Sequence, residues 1–155
     1  MKKLRIYLDT SVFGGYYDDE FKEFTIPLFE KILKSEFEVI FSNITENELK
    51  SAPEQVKDLV KSLPEKSTKY VRSNQTTIEL ANRYIEEKVV GKTSYIDCLH
   101  IALATIHNAN ILVSWNFKHI VNVVKIIGYN SVNLTESYKQ IDIRSPRELI
   151  DHERE

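Results

Sequence analysis

Three acids and an amide stand where the chain could hold a hard cation: Asp9, Glu48, Asp97 and Asn116. Asp9 follows the apolar run Leu4-Arg5-Ile6-Tyr7-Leu8, so it ends a strand, and Thr10 and Ser11 begin the loop after it. A turn or helix-cap aspartate has the same look, but α/β folds place their acids at such strand ends. Glu48 lies in Ser42-Asn43-Ile44-Thr45-Glu46-Asn47-Glu48-Leu49, soon after a second apolar run. Thr45-x-x-Glu48 also reads as a capping box, and Glu46 is a competing acid in the same turn. Asp97 opens the helical run that continues through Cys98-Leu99-His100-Ile101-Ala102, and Ser94-x-x-Asp97 is a second capping pair. That helix is apolar on nearly every side, where an ionised carboxylate is costly without a compensating partner. Asn116, in Ser114-Trp115-Asn116-Phe117, offers a carbonyl oxygen as a neutral ligand or a hold on water. Thr10, Ser11 and Ser114 are the supporting polar residues.

Acids delivered from separate strand ends suit Mg²⁺, which prefers oxygen ligands and keeps several waters, or Mn²⁺, which accepts the same set. Without a cation they repel one another and raise each other's pKa. With one, a bound water becomes a better nucleophile and the charge on a leaving 3′ oxygen is neutralised. The chemistry is phosphodiester hydrolysis without a covalent intermediate.

The elements that must position these residues are short and alternate. Strand signals cover Leu4–Leu8, Phe37–Phe41, Ile111–Val113 and Val132–Leu134, with a weaker one at Tyr70–Val71. Helical periodicity lies between them, in Ile26–Leu33, Val56–Leu63, Ile78–Val89, the largely apolar Tyr95–Ala109, and Ile120–Ile127 stopped by Gly128. Gly14-Gly15 reads as a turn, with no Lys-Ser or Lys-Thr after it to make a phosphate loop. Short buried strands alternating with helices predict an α/β sandwich around a central, mainly parallel sheet flanked by helices. The 155 residues suit a single domain, with a core over about 3–134 and a polar tail over 135–155. In the tail, Ser145-Pro146-Arg147-Glu148 reads as a helix start with Leu149 and Ile150 as anchors. The tail could fold over the domain or join a dimer contact.

Composition narrows the function classes. A net charge of −2 argues against a protein that coats nucleic acid nonspecifically. Nucleic-acid contact must therefore come from local basic groups such as Lys61, Lys66, Lys69 and Arg72, or Lys118 with His119, though these read first as solvated faces. Cys98 is the only cysteine, so no intrachain disulfide forms, and it reads as a small core residue. No apolar run approaches the roughly 18 residues that span a bilayer, and Asp9 interrupts the short N-terminal one. The expected location is the cytoplasm. An aspartate-nucleophile phosphatase needs a second acid two residues after Asp9, where Ser11 stands. His100, at helical spacing from Asp97, fits a hydrogen-bonded helix residue better than a ligand.

At these residues the sequence resembles the PIN-domain family, especially the VapC-like toxins of toxin–antitoxin pairs. Tyr7-Leu8-Asp9-Thr10-Ser11 is similar to the family's first motif, and Ser42-x-x-Thr45-x-x-Glu48-Leu49 to its second. Asp97-x-x-His100-Ile101-Ala102-x-Ala104 resembles the third. Leu112-Val113-Ser114-Trp115-Asn116-Phe117 aligns with the fourth, where many members carry Asp in place of Asn116. The resemblance runs from Lys3 to about Leu134. It implies a three-layer sandwich and a Mg²⁺- or Mn²⁺-dependent endoribonuclease with Asp9, Glu48 and Asp97 as metal ligands. It also implies dimerisation and neutralisation by a small antitoxin in the active-site groove. The alternative is a catalytically weak PIN-like module that binds RNA or a protein partner, and Asn116 is the departure that raises it.

Overall fold

The computed structural model describes residues 2–154, with side chains described through residue 150. Five strands form one sheet in the order β3-β2-β1-β4-β5, and every neighbouring pair is parallel. They are β1 (Arg5–Leu8), β2 (Glu38–Ser42), β3 (Thr68–Val71), β4 (Ile111–Val113) and β5 (Asp142–Arg144). The helices are α1 (Thr10–Gly15), α2 (Lys22–Leu33), α3 (Asn43–Glu48), α4 (Glu54–Lys61), α5 (Gln75–Glu86), α6 (Tyr95–Ile106), α7 (Val123–Thr135) and α8 (Pro146–Arg154). None of the described helices is long and apolar enough to cross a membrane.

Successive strand residues face opposite sides of a sheet, and β1 divides its side chains accordingly. Ile6 and Leu8 join Val12, Phe13, Leu28, Phe29 and Val113 in one apolar layer beneath α1 and α2. Tyr7 points the other way, into a layer with Leu80, Tyr84, Cys98, Ile101, Leu112 and Tyr129 from α5, α6, β4 and α7. The result is the expected α/β sandwich, with the sheet parallel throughout. The chain runs from β1 to β2 and β3 on one side, then returns to place β4 on the other. Strand order therefore reverses between β1 and β4, the position where open α/β sheets bind ligands at their carboxyl ends.

Four local expectations are corrected. Val132–Leu134 is not the last strand but lies inside α7, where Tyr129, Val132 and Asn133 are the buried side chains, at helical spacing. Gly128 does not stop that helix. A Cβ there would meet Val89 Cγ1 at 2.7 Å, so glycine lets α7 approach the Val89 segment closely. The last strand is β5, inside the segment read as a polar tail. Only Ile143 of its three residues is buried, which left almost no apolar signal. The helix expected from Ser145-Pro146 follows as α8, which packs against α2.

Gly14 and Gly15 close α1 instead of forming a turn. A Cβ on Gly15 would lie 2.7 Å from Trp115 Nε1 and 3.0 Å from Thr25 Oγ1. Those two atoms are hydrogen-bonded at 2.9 Å, and Trp115 stacks on Phe21 with ring centroids 4.3 Å apart. Gly15→Ala is expected to push this buried contact apart and cost about 1–3 kcal/mol. A thermal melt checks it, and an unchanged midpoint would contradict so tight a fit between Gly15 and Trp115.

Candidate active site

Asp9 leaves the end of β1 in an extended conformation and serves as the N-cap residue of α1, yet its side chain makes no cap hydrogen bond. Its two oxygens are held by hydroxyls instead. Ser11 Oγ donates to Oδ1 at 2.6 Å, and Ser114 Oγ, from the end of β4, donates to Oδ2 at 2.5 Å. Ser11 Oγ also accepts the Trp115 N–H at 2.9 Å, which locks the post-β4 turn onto the post-β1 turn. Asp9 is only 4% exposed. Burial pushes its pKa up, against the pull of His100 and of the Ser11, Ser114 and Val12 hydrogen bonds.

Glu48 reaches the same edge from β2 through α3. The N-cap of α3 is Ser42, whose Oγ accepts from the Thr45 N–H at 3.2 Å. Thr45 is thus inside the helix, its hydroxyl directed to the Leu8 carbonyl at 3.3 Å. The Thr45-x-x-Glu48 capping box is therefore not formed, and the Glu48 side chain is free for other work. Its Oε1 accepts from Thr10 Oγ1 at 2.6 Å and lies 2.7 Å from His100 Nε2. Desolvation alone would raise its pKa, but the His100 and Thr10 hydrogen bonds outweigh it and hold the carboxyl below its ordinary value. Glu46 instead takes the Tyr70 hydroxyl at 2.8 Å on the exposed side. The competition between the two acids yields a test. Glu48→Gln is expected to lower Mn²⁺ affinity by about tenfold or more, while Glu46→Gln leaves it unchanged, as read by titration calorimetry. Equal losses in both would contradict the arrangement.

Asp97 sits in the first turn of α6, where the helix dipole favours an anion. The Ser94 side chain makes no cap bond, so the alternative Ser94-x-x-Asp97 capping pair is also absent. Asp97 Oδ1 faces the Asn116 amide nitrogen at 3.4 Å. Burial raises its pKa, opposed by His100 and His119 and reinforced by the Glu48 charge. Asn116 behaves differently from the carbonyl donor its type suggested. Its Oδ1 already accepts the His119 N–H at 3.0 Å, so it offers Asp97 its amide instead.

All seven residues singled out from the sequence reach the carboxyl edge of the sheet: the four at the site itself, and Thr10, Ser11 and Ser114 as their hydroxyl supports. His100 and Tyr7 join them without having been singled out as site residues. His100 is 2% exposed, with Nδ1 2.7 Å from the Tyr7 hydroxyl. A histidine on an apolar helix and a tyrosine amid a buried strand were the available signal, because buried polar atoms must find partners. Cys98 is buried, and its thiol is pushed up to about 12, so it supplies no thiolate.

Among the described residues, no Lys or Arg pairs with Asp9, Glu48 or Asp97. Nor do three His, Cys, Asp or Glu side chains among them form a ready-made metal cluster. The donor chemistry nevertheless fits a hard cation. The candidate ligand atoms are carboxylate oxygens, two of the acids are disfavoured as bare anions, and no Lys or Arg among the described residues neutralises them. Both ring nitrogens of His100 are engaged, so it presents none to a metal.

Comparison with known proteins identifies a family and a fold. The family model described as "PIN domain" matches residues 6–118, a span that contains Asp9, Glu48, Asp97 and Asn116. No curated protein matches the sequence. Among solved structures, the crystal structure of VapBC2 from Rickettsia felis, bound to a DNA fragment from their promoter, is similar with a TM-score of 0.56. The match has 15% identity and covers 92% of this chain and 98% of that chain, a likeness of fold.

Proposed function

The chain belongs to the PIN domain family, and from that premise we propose that it is a metal-dependent endoribonuclease, the toxin of a type II toxin–antitoxin pair. One observation carries the reading. Asp9, Glu48 and Asp97 lie toward the carboxyl edge of the sheet, around its topological switch point, and among the described residues no Lys or Arg pairs with them. Asp9, Glu48 and Asp97 would hold Mg²⁺ or Mn²⁺, which when bound supplies a more acidic water and neutralises charge on the leaving oxygen. The chain's own polar groups do the orienting. Ser11 and Ser114 fix both Asp9 oxygens, Thr10 holds Glu48, and the Asn116 amide steers Asp97.

The substrate would be RNA in the cytoplasm. Lys118 is exposed beside Asn116, as a phosphate-binding group at the site's rim would be. A protein partner is supported by α7, which presents Val123, Val124, Ile127 and Leu134 to solvent. We assign the partners as an antitoxin and a second copy of the chain. The similarity to a VapBC2 structure supports this reading through its fold. The competing reading is a catalytically weak module that binds RNA or protein, and Asn116 favours it, since the position carries no charge and its carbonyl oxygen already accepts the His119 N–H. Incubation of end-labelled single-stranded and structured RNAs separates the two. Cleavage in Mg²⁺ or Mn²⁺ that EDTA abolishes supports the nuclease. RNA that is bound but left intact under all these conditions supports the module.

A further inference from the structure

Two polar side chains lie where the fold otherwise buries apolar ones. Tyr7 is fully buried in β1 and His100 nearly so in α6. The Tyr7 hydroxyl lies 2.7 Å from Ser42 Oγ and 2.7 Å from His100 Nδ1, and the two rings meet edge-on. His100 Nε2 continues the chain to Glu48 Oε1 at 2.7 Å. The direction of these bonds follows from what each group can donate. An ionised Glu48 only accepts, so Nε2 must carry a hydrogen. In the neutral ring Nδ1 is then an acceptor, and Tyr7 is its donor. A phenol is protonated near neutral pH and so supplies that hydrogen. Tyr7 accepts in turn from Ser42, whose Oγ receives the Thr45 N–H. A one-way chain therefore runs from the backbone of α3, through the core, back to the last residue of the same helix.

We infer that His100 and Tyr7 are positioning residues that present Glu48 to a divalent cation through a single oxygen. The inference rests on the metal-nuclease reading above. Glu48 is 37% exposed at the end of a six-residue helix, and an untethered side chain there would sample many rotamers. Thr10 and His100 together fill both acceptor directions of Oε1, while Oε2 accepts no hydrogen bond among the described residues. A carboxylate held in this way has one oxygen to give. That suits Mg²⁺ or Mn²⁺ and disfavours Ca²⁺ sites built on a bidentate acid. A histidine that merely filled space would need neither partner.

The test is Mn²⁺ binding, by calorimetry and by loss of the free-ion paramagnetic resonance signal, in the wild type and three variants. His100→Leu is expected to raise the Mn²⁺ dissociation constant about tenfold or more, the scale of losing an outer-shell partner. His100→Gln keeps a donor for Glu48 and is expected to stay within about threefold of the wild type. Tyr7→Phe removes the donor to Nδ1 and is expected to weaken binding severalfold. Metal-free melts establish that each variant is folded, and ¹⁵N spectra of the metal-free wild type are expected to show hydrogen on His100 Nε2. Wild-type Mn²⁺ affinity in folded His100→Leu overturns the inference. If that variant does not fold, wild-type affinity in Tyr7→Phe overturns it. Equal weakening by His100→Gln and His100→Leu overturns the role of the hydrogen bond. A wild type that binds no Mn²⁺ overturns instead the metal reading on which the inference depends.

Discussion

Asp9→Asn is expected to abolish metal-dependent cleavage while making the metal-free protein more stable at neutral pH. The catalytic loss should exceed the roughly 10–100-fold that losing an outer-shell partner costs, because a proposed ligand itself is removed. The stability gain has a separate origin. Asp9 is 4% exposed, and burial raises its pKa above the ordinary 3.8. An acid with a raised folded pKa binds protons more tightly in the folded state. Its contribution to stability is therefore complete below the unfolded value and is lost as pH rises through the folded one. Asp97 acts in the same direction. Glu48 acts in the opposite one, since its folded pKa is lowered and its contribution is lost as pH falls through that value. Asparagine removes the cost of ionising Asp9, so the metal-free variant should melt higher than the wild type at neutral pH. Denaturation of the metal-free protein from about pH 4 to about pH 8 checks the sign. Stability should fall toward neutrality in the wild type and fall less in Asp9→Asn. A metal-free variant less stable than the wild type at neutral pH would contradict it. Added Mn²⁺ should stabilise only the wild type.

The second large effect is a gain. Asn116→Asp is expected to create a second tight cation site beside the single one proposed for the wild type. In the wild type the Asn116 amide faces Asp97 Oδ1 at 3.4 Å, while its carbonyl oxygen accepts the His119 N–H. Aspartate can keep the His119 bond, so the turn should survive. It replaces the amide with a carboxylate beside Asp97, however, and two acids so close raise each other's pKa. The metal-free variant should lose a few degrees in Tm at neutral pH. In Mn²⁺ the same juxtaposed charges attract a second ion, and cleavage at limiting metal should rise severalfold. Titration calorimetry with Mn²⁺ decides the matter. Two equally tight sites in the wild type, or a single site in the variant, would contradict this role for Asn116.

Much of the frame was legible because buried parallel strands announce themselves as short apolar runs. Leu4–Leu8 and Ile111–Val113 located β1 and β4, and with them the switch point that Asp9 and Ser114 occupy. The α6 pattern located Asp97 for the same reason, since a helix apolar all round must be buried. Glu48 was ambiguous because Ser42 and Thr45 are both good N-caps, and their choice depends on where β2 ends. The link from Tyr7 to His100 was hidden by its span of 93 residues, which no local pattern encodes. β5 escaped because an edge strand with one buried residue carries almost no alternation. Gly128 misled because its role is a close contact with Val89, a packing fact invisible to a rule about helix ends.

The nuclease reading is tested most directly by RNA cleavage in Mn²⁺ with three proteins side by side: wild type, Asp9→Asn and Asp97→Asn. Water activated at the three acids should leave a 5′-phosphate and a 3′-hydroxyl. The expected result is wild-type products bearing those ends, absent in EDTA and absent from both variants. Cleavage that persists in both variants, or products that end in a 2′,3′-cyclic phosphate, would contradict a metal-dependent hydrolase built on Asp9, Glu48 and Asp97.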